Sequence, residues 1–180
     1  MFLRVPFTEI YVNEFGTVRY TGWKGENRED QGFKNKCKYM MIKTQNGKFY
    51  YVHRLVARVF VKNPCPEYFK VVHHLDNDRS NNYAENLQWT TKALNNSWKK
   101  NQRLVKKTQE GYIVSFIFNK KTFNLQKVHK TLEDAKTSAK SYKLCLINAT
   151  RSHIIECSRS SLDPYEEHNE IITRVTEAAA

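Results

Sequence analysis

The sequence has no long apolar run. Its first residues, Met1 to Pro6, soon give way to polar ones, and no later stretch is apolar over the length that a bilayer requires. Neither a signal peptide nor a membrane-spanning helix is predicted. We therefore expect an intracellular protein of the host cytoplasm, not a secreted one, without a membrane partner.

Closely spaced cysteines are also lacking. A zinc knuckle and a disulfide framework both need such pairs, so neither is predicted. Hydrophobic residues make up 40% of the chain and charged residues 27%, a composition typical of a folded globular protein. The four cysteines, which we expect to be reduced thiols, are Cys37, Cys65, Cys145 and Cys157.

Acidic residues are absent from two long stretches, from Lys34 to Arg58 and from Lys92 to Lys107. The whole chain has 30 Lys and Arg against 18 Asp and Glu, which gives a net charge of +12. Because the segment that begins at Glu156 is acidic, the rest of the chain is more basic than this average. Such a distribution favours a polyanionic partner, and nucleic acid is the first candidate.

The apolar pattern predicts an α+β chain. Strands are indicated where apolar and polar residues alternate, and helices where apolar residues recur every three or four positions. Asn46 and Gly47 supply the turn of one hairpin, and Thr131 with Asp134 begins a helix as a capping pair. In chain order, we predict hairpins at 10–20 and 39–52, a helix at 52–61, a strand at 70–73, a helix at 86–98, a strand pair at 112–125 and a helix from Thr131.

Two adjacent histidines, His73 and His74, end the predicted strand at 70–73 and precede a stretch rich in asparagine. Successive strand side chains face opposite ways, but both imidazoles can converge where the chain bends into a loop. Phosphodiester hydrolysis needs a base for the attacking water and a cation for the charge on phosphate. One imidazole could bind metal while the other handles protons. Two histidines alone would favour an ordinary turn, and the asparagines reverse that interpretation.

This region resembles the HNH endonucleases, and more closely the HNH homing endonucleases of the phage type. The resemblance rests on Val-His-His-Leu-Asp at residues 72–76, the pair Asn81 and Asn82, Asn-Leu-Gln-Trp-Thr at residues 86–90, and Asn95. It implies a ββα-metal fold that hydrolyses DNA phosphodiesters and leaves a 3′-hydroxyl and a 5′-phosphate.

The same resemblance implies a role for each site residue. His74 would be the general base and Asn86 would orient it, while His73 and Asn95 would bind one divalent cation. That cation is expected to be Mg²⁺, with Mn²⁺ as the alternative. Many relatives have Asp in place of His73, and a neutral ligand should weaken Mg²⁺ binding and admit softer metals. Asn96 is a rival ligand, because a shift of one residue would bring it inward.

The upstream segments carry further resemblances to the same proteins. Residues 11–19 look like the small module that often precedes this nuclease domain, and residues 53–57 look like its lead-in helix. On that helix we expect His53 to be structural, whereas Arg54 and Arg58 are expected to face phosphate.

Downstream, residues 111–139 are similar to the APETALA-type DNA-binding domain, with a small packing subdomain as the alternative. We expect the basic link to lie along the DNA backbone through Lys99, Lys100, Arg103, Lys106 and Lys107. The predicted parts are a strand-rich module at 1–50, the nuclease core and basic link at 51–107, a DNA-binding unit at 108–150 and an acidic tail at 151–180.

Together these features predict a monomeric, metal-dependent homing endonuclease that cuts double-stranded DNA at specific sites. Two alternatives stay open. One is a sequence-specific regulator that binds DNA without cutting it, and the intact segment from His73 to Asn95 argues against it. The other is a defence or repair nuclease of relaxed specificity, and the flanking DNA-reading unit argues against that.

Overall fold

The computed structural model describes residues 1–97, 105–118 and 121–160 of the 180-residue chain. The chain divides into two compact units, Met1–Thr91 and Lys92–Ala180. Both contain helices and strands, so the α+β prediction is confirmed. Within these described ranges, no helix is long and apolar enough to cross a membrane.

An antiparallel sheet of four short strands begins the first unit. Alternate residues face inward, so Val12, Val18 and Tyr20 are buried. Asn13 closes the turn between the second and third strands, where its side-chain oxygen accepts the N–H of Thr17 at 2.9 Å. The hairpin predicted at residues 10–20 is confirmed. In sheet order, the strands are β1 (Leu3–Arg4), β2 (Tyr11–Val12), β3 (Val18–Thr21) and β4 (Asn27–Asp30).

A second, three-stranded sheet leads directly into the first helix. Its strands are β5 (Phe33–Lys34), β6 (Met40–Lys43) and β7 (Phe49–Tyr51), and the helix is α1 (Val52–Phe60). Gly47 in the β6–β7 turn has φ 76°, which glycine adopts without steric cost. One side of α1 buries Val52, Leu55 and Val56. Both the predicted Asn46-Gly47 hairpin and the predicted helix are confirmed.

A two-stranded hairpin packs against α1. Its strands β8 (Val71–His74) and β9 (Leu87–Thr90) are antiparallel, with His74 opposite Leu87. The loop between them ends in a 3-10 turn, Ala84–Asn86. The indole N–H of buried Trp89 donates to the carbonyls of Ala57 at 3.2 Å and Val61 at 3.0 Å, and thereby fastens the hairpin to the helix.

The helix predicted at residues 86–98 is wrong in its first part. Leu87 and Trp89 face inward alternately, as strand residues do, and the backbone around them pairs with β8. Helix α2 (Lys92–Ser97) begins only after this strand. The strand predicted at residues 70–73 is confirmed by β8.

The second unit joins α2 to a three-stranded antiparallel sheet and a long helix. These elements are β10 (Val105–Lys107), β11 (Tyr112–Phe118), β12 (Lys121–His129) and α3 (Leu132–Ser160). The Thr131 hydroxyl accepts the N–H of Asp134 at 3.1 Å and donates to its carboxylate at 2.6 Å. This is the predicted helix start, which is confirmed. Helix α3 buries Ala135, Ala139 and Leu146.

Two of the predicted segments include parts of regular elements. Residues 105–107, assigned to the basic link, form β10 and pair with β11. Residues 151–160, assigned to the acidic tail, continue α3 and bury Ile154 and Cys157. The buried side of the helix thus continues beyond residue 150 and reaches Cys157.

Candidate active site

The two histidines lie where β8 ends. His73 and His74 are the last residues of the strand, and both are buried, with exposed fractions of 5% and 4%. The strand pairing sets His73 opposite Gln88 and His74 opposite Leu87. The β8–β9 hairpin thus fixes the backbone at both imidazoles before the chain enters the loop.

The side chain of Asn82 holds the ring of His74. Asn82 Oδ1 lies 3.3 Å from His74 Nε2, while Asn82 Nδ2 donates to the Ser80 carbonyl at 3.2 Å. Since the amide nitrogen is turned to Ser80, the amide oxygen faces His74 and accepts a hydrogen bond from it. Nε2 therefore carries the proton, and Nδ1 keeps the lone pair that a base needs.

Burial lowers the pKa of His74, although the bond from Asn82 and the nearby charges of Asp76 and Asp78 act in the opposite direction. A lowered pKa keeps the imidazole neutral at neutral pH. The ring is thus a proton acceptor in the pH range where a general base is needed.

Asn86 closes the loop behind His74, and it bonds to the loop instead of to the imidazole. Its Nδ2 donates to Asp76 Oδ1 at 3.0 Å and to the Asn81 carbonyl at 2.9 Å, while its Oδ1 accepts the Asp76 N–H at 3.1 Å. The backbone of Asn86 also accepts the Leu75 N–H at 2.9 Å. The side-chain hydrogen bond to His74 is made by Asn82, and the orienting role of Asn86 stays a prediction.

His53 lies against the ring of His74. The two ring centroids are 5.0 Å apart at an interplanar angle of 61°, and His53 also contacts Tyr39 at 5.1 Å and Tyr51 at 5.5 Å. Burial, together with the nearby His74 and Arg54, lowers the pKa of His53 to about 3. The sequence interpretation placed His53 outside the site, and the structure brings it into contact with the predicted base.

The β2–β3 turn packs on the loop that carries Asn82. The backbone carbonyl of Glu14 accepts the Ala84 N–H at 2.8 Å, and the Phe15 and Tyr83 rings meet edge to face at a centroid distance of 5.6 Å. A Cβ on Gly16 would lie only 3.0 Å from the Asn82 Cβ. Residues near the start of the chain therefore support the asparagine that holds His74.

The loop is also attached to the β5–β6 turn. Arg79 donates to the Cys37 carbonyl at 3.0 Å, and its guanidinium carbon lies 4.9 Å from the Tyr39 ring centroid. Since Tyr39 also contacts His53 and His74, Arg79 links the loop to the aromatic side of the site.

The residues predicted to contact DNA have different environments. Half-buried Arg54 donates to the Lys70 carbonyl at 3.2 Å and so joins α1 to the residue before β8. Arg58 on α1 is exposed, as are Lys106 and Lys107 on β10. Lys99, Lys100 and Arg103 lie outside the described residues.

The predicted metal ligands lie in the two separate units. His73 belongs to the first, and half-buried Asn95 and exposed Asn96 belong to α2 in the second. Among residues 1–97, 105–118 and 121–160, no three His, Cys, Asp or Glu side chains are grouped as a metal site. The imidazole of His73 fits a divalent cation as a single nitrogen donor, provided that water and phosphate complete the coordination.

The buried imidazole of His74, at the end of β8, is the candidate acid–base group. The segment that contains it matches a known family: residues 50–97 match the family model described as HNH endonuclease. The HNH resemblance inferred from the sequence is thereby confirmed for this segment.

Two curated relatives from Acanthamoeba polyphaga mimivirus carry the same family name. "Uncharacterized HNH endonuclease L247" is 36% identical over 110 residues, which are 59% of this chain and 27% of that protein. "Uncharacterized HNH endonuclease L245" is 46% identical over 50 residues, 28% of this chain and 14% of that protein. The chain thus spans about a quarter or less of the length of these relatives.

One solved structure is similar over part of the chain. It is described as "DNA binding and cleavage by the HNH homing endonuclease I-HmuI", with 30% identity and a TM-score of 0.41 over 53% of this chain and 55% of that one. These comparisons give no support to the APETALA-type resemblance of residues 111–139.

Proposed function

We propose that the protein is a metal-dependent endonuclease that hydrolyses phosphodiester bonds of double-stranded DNA at specific sites, as homing endonucleases do. It would act as a monomer and leave a 3′-hydroxyl and a 5′-phosphate. The observation that carries the proposal is the Asn82–His74 contact inside a segment that matches the HNH endonuclease family.

His74 would take a proton from the attacking water at Nδ1. Asn82 keeps the other ring nitrogen protonated, so the lone pair is always at the same atom. Because the pKa of His74 is lowered by burial, little of the ring is protonated at neutral pH. The network around Asn86 keeps the loop closed behind the imidazole, which preserves its direction during the reaction.

His73 is the proposed protein ligand of a divalent cation within the first unit, and the ligand role of Asn95 remains a prediction. When bound, the cation supplies positive charge for the phosphate and the departing oxygen. Imidazole is a softer donor than carboxylate, so Mn²⁺ should support cleavage at least as well as Mg²⁺.

DNA binding is proposed to rest on exposed basic residues, since a net charge of +12 favours a polyanion. Arg58 lies on the helix that packs against the β8–β9 hairpin, and Lys106 and Lys107 lie on β10, an edge strand of the β10–β12 sheet. Sequence preference would come from the β10–β12 sheet and its helix. The backbone contacts would fix position on the duplex.

The test is cleavage of a plasmid library with Mg²⁺ or Mn²⁺, followed by sequencing of the ends. We expect ends at one or a few sites for the wild type and a rate lower by about a hundredfold to ten-thousandfold for His74→Ala, because the base is lost. Binding of DNA should be unchanged, since His74 is buried. His153→Ala, which removes a half-buried histidine of α3, is the matched control and should cut normally.

The remaining outcomes separate the alternatives. Tight, site-specific binding without cleavage under either metal would make the protein a regulator. Ends scattered over the whole library would make it a nuclease of relaxed specificity. Equal rates for His74→Ala and the wild type would overturn the assignment of the base.

A further inference from the structure

His53 is a buried polar side chain with no part in the proposed proton transfer. It is the second residue of α1, outside the hairpin that bears His74, and only 7% of it is exposed. Histidine at a buried helix position is costly unless its polar atoms are paired. Within the described part of the chain, its Nδ1 is buried and makes no hydrogen bond. Something other than a hydrogen bond to Nδ1 must therefore stabilise the His53 ring at this position.

The surroundings of His53 are rings. Tyr39, Tyr51 and His74 all lie within 5.5 Å of it, centroid to centroid, and the contact with His74 is the shortest at 5.0 Å. Tyr39 also contacts His74 directly at 6.0 Å. Rings that meet at such angles attract each other beyond the area that they bury. The four residues Tyr39, Tyr51, His53 and His74 form what we call the ring cluster.

The ring cluster and Asn82 constrain His74 in different ways. Asn82 bonds one ring nitrogen, which still leaves the imidazole free to tilt about that bond. The flat ring of His53 limits this tilt, because its centroid lies 5.0 Å from that of His74 at an interplanar angle of 61°. His53 is also neutral, because burial and its neighbours hold its pKa near 3, so it places no positive charge beside the base.

We propose that His53 is a positioning residue whose ring fixes the plane of His74 for proton transfer. This rests on the proposed role of His74 as the base. His53 itself contacts neither water nor DNA in the reaction. Its function is carried by the flat aromatic face, and not by the Nδ1 atom, so a ring without nitrogen should replace it.

Single-turnover cleavage at saturating protein tests the proposal. We expect His53→Ala to lower the rate about tenfold to a hundredfold, with unchanged DNA affinity, because a group that orients a reacting residue acts on rate and not on binding. His53→Phe keeps the flat face and should cut within about threefold of the wild type. If His53→Ala does not fold at the assay temperature, His53→Val fills part of the gap, lacks the ring and should show the same loss.

Leu55→Ala is the control for a merely structural effect. Leu55 is a buried residue of the same helix, 1% exposed, and its truncation leaves a cavity that destabilises the fold. At a temperature where both variants are folded, Leu55→Ala should cut like the wild type. Equal losses in Leu55→Ala and His53→Ala would overturn the proposal, and so would equal rates for His53→Ala, His53→Phe and the wild type.

A readout without cleavage separates this proposal from the proposed function. In ¹⁵N spectra of the imidazoles, the wild type and His53→Phe should show His74 as one tautomer with the proton on Nε2. His53→Ala should keep this tautomer, which Asn82 fixes, but should show broadened His74 signals because the ring moves more. Unchanged His74 signals in His53→Ala would overturn the positioning role even in an active nuclease. Absence of cleavage in the wild type would overturn the proposed function, while the spectra would still decide the role of His53.

Discussion

Two regions of the first unit contribute to the histidine site in different ways. From β8 to β9, the loop is closed by hydrogen bonds between side chains and backbone, most of them made by Asn82, Asn86 and Asp76. The region before α1 contributes mainly packing, through the Tyr39 ring and the close approach of Gly16. Hydrogen bonds within the loop decide which atom of His74 accepts a proton, and packing from outside the loop decides how far the ring can move.

Among the substitutions that test this difference between the two regions, those of the two loop asparagines should have the largest effects. Asn82→Ala should lower the single-turnover rate about tenfold to a hundredfold, because the tautomer and direction of His74 are no longer fixed. Asn86→Ala should lower the unfolding free energy by about 1–3 kcal/mol, because it leaves buried loop groups without partners. Urea unfolding and single-turnover kinetics measure both quantities.

The roles of the two asparagines would be reversed by a specific result. If Asn86→Ala abolishes cleavage in a folded protein while Asn82→Ala cuts normally, the orienting residue is the one that the HNH resemblance implied, and the contact of Asn82 is incidental.

A smaller effect is expected from the packing region. Gly16→Ala introduces a Cβ 3.0 Å from the Cβ of Asn82, at a residue with φ 83°. We expect a rate loss of about threefold to tenfold, since a shift of well under 1 Å at Asn82 is passed on to His74. Stability should also fall by about 1–2 kcal/mol from the backbone conformation alone.

Gly47→Ala separates the two consequences of that change. Gly47 has φ 76°, but a Cβ there would meet nothing within 4 Å. Gly47→Ala should therefore lose about as much stability as Gly16→Ala but cut at the wild-type rate. A Gly16→Ala protein that cuts as fast as Gly47→Ala would show that the turn does not support the site.

The smallest effect concerns stability and pH. The pKa of His53 is about 3 in the folded protein and 6.5 in its ordinary state, so between these values the unfolded chain binds more protons. The unfolding free energy should therefore fall as pH falls below 6.5, by up to about 1.4 kcal/mol per pH unit from this group. His53→Phe removes the contribution. Urea unfolding between about pH 5 and pH 7 should give a flatter pH dependence for the variant, and parallel curves would contradict the assignment.

Much of the fold follows from local sequence. Asn46 with Gly47, Thr131 with Asp134, and the spacing of Val52, Leu55 and Val56 each act through a few neighbouring residues, and each prediction is confirmed. The strand at residues 87–90 was predicted as helix. Its pairing with β8 crosses a loop of a dozen residues, and a short apolar run does not reveal such a partner.

The site was less predictable than the fold. The histidine and asparagine pattern pointed to His74 as the candidate base, but it gave Asn82 no role, although Asn81 and Asn82 were part of the resemblance. Which asparagine side chain faces His74 depends on the turn from Ser80 to Asn82. In this turn Asn82 Nδ2 donates a hydrogen bond to the Ser80 carbonyl. The contact of His53 with His74 depends on the packing of α1 against the hairpin, which no spacing in the sequence shows.

The docking of the β2–β3 turn on the loop has a consequence for recombination. Residue 51, where the predicted N-terminal module meets the predicted nuclease core, would be the natural crossover point of a chimera. After a crossover there, the β2–β3 turn would come from one parent and the loop at residues 82–84 from the other. The contacts that Glu14, Phe15 and Gly16 make with this loop would then no longer be matched. Chimeras of this protein should therefore exchange the turn and the loop together, and the useful crossover lies after residue 91, where the first unit ends.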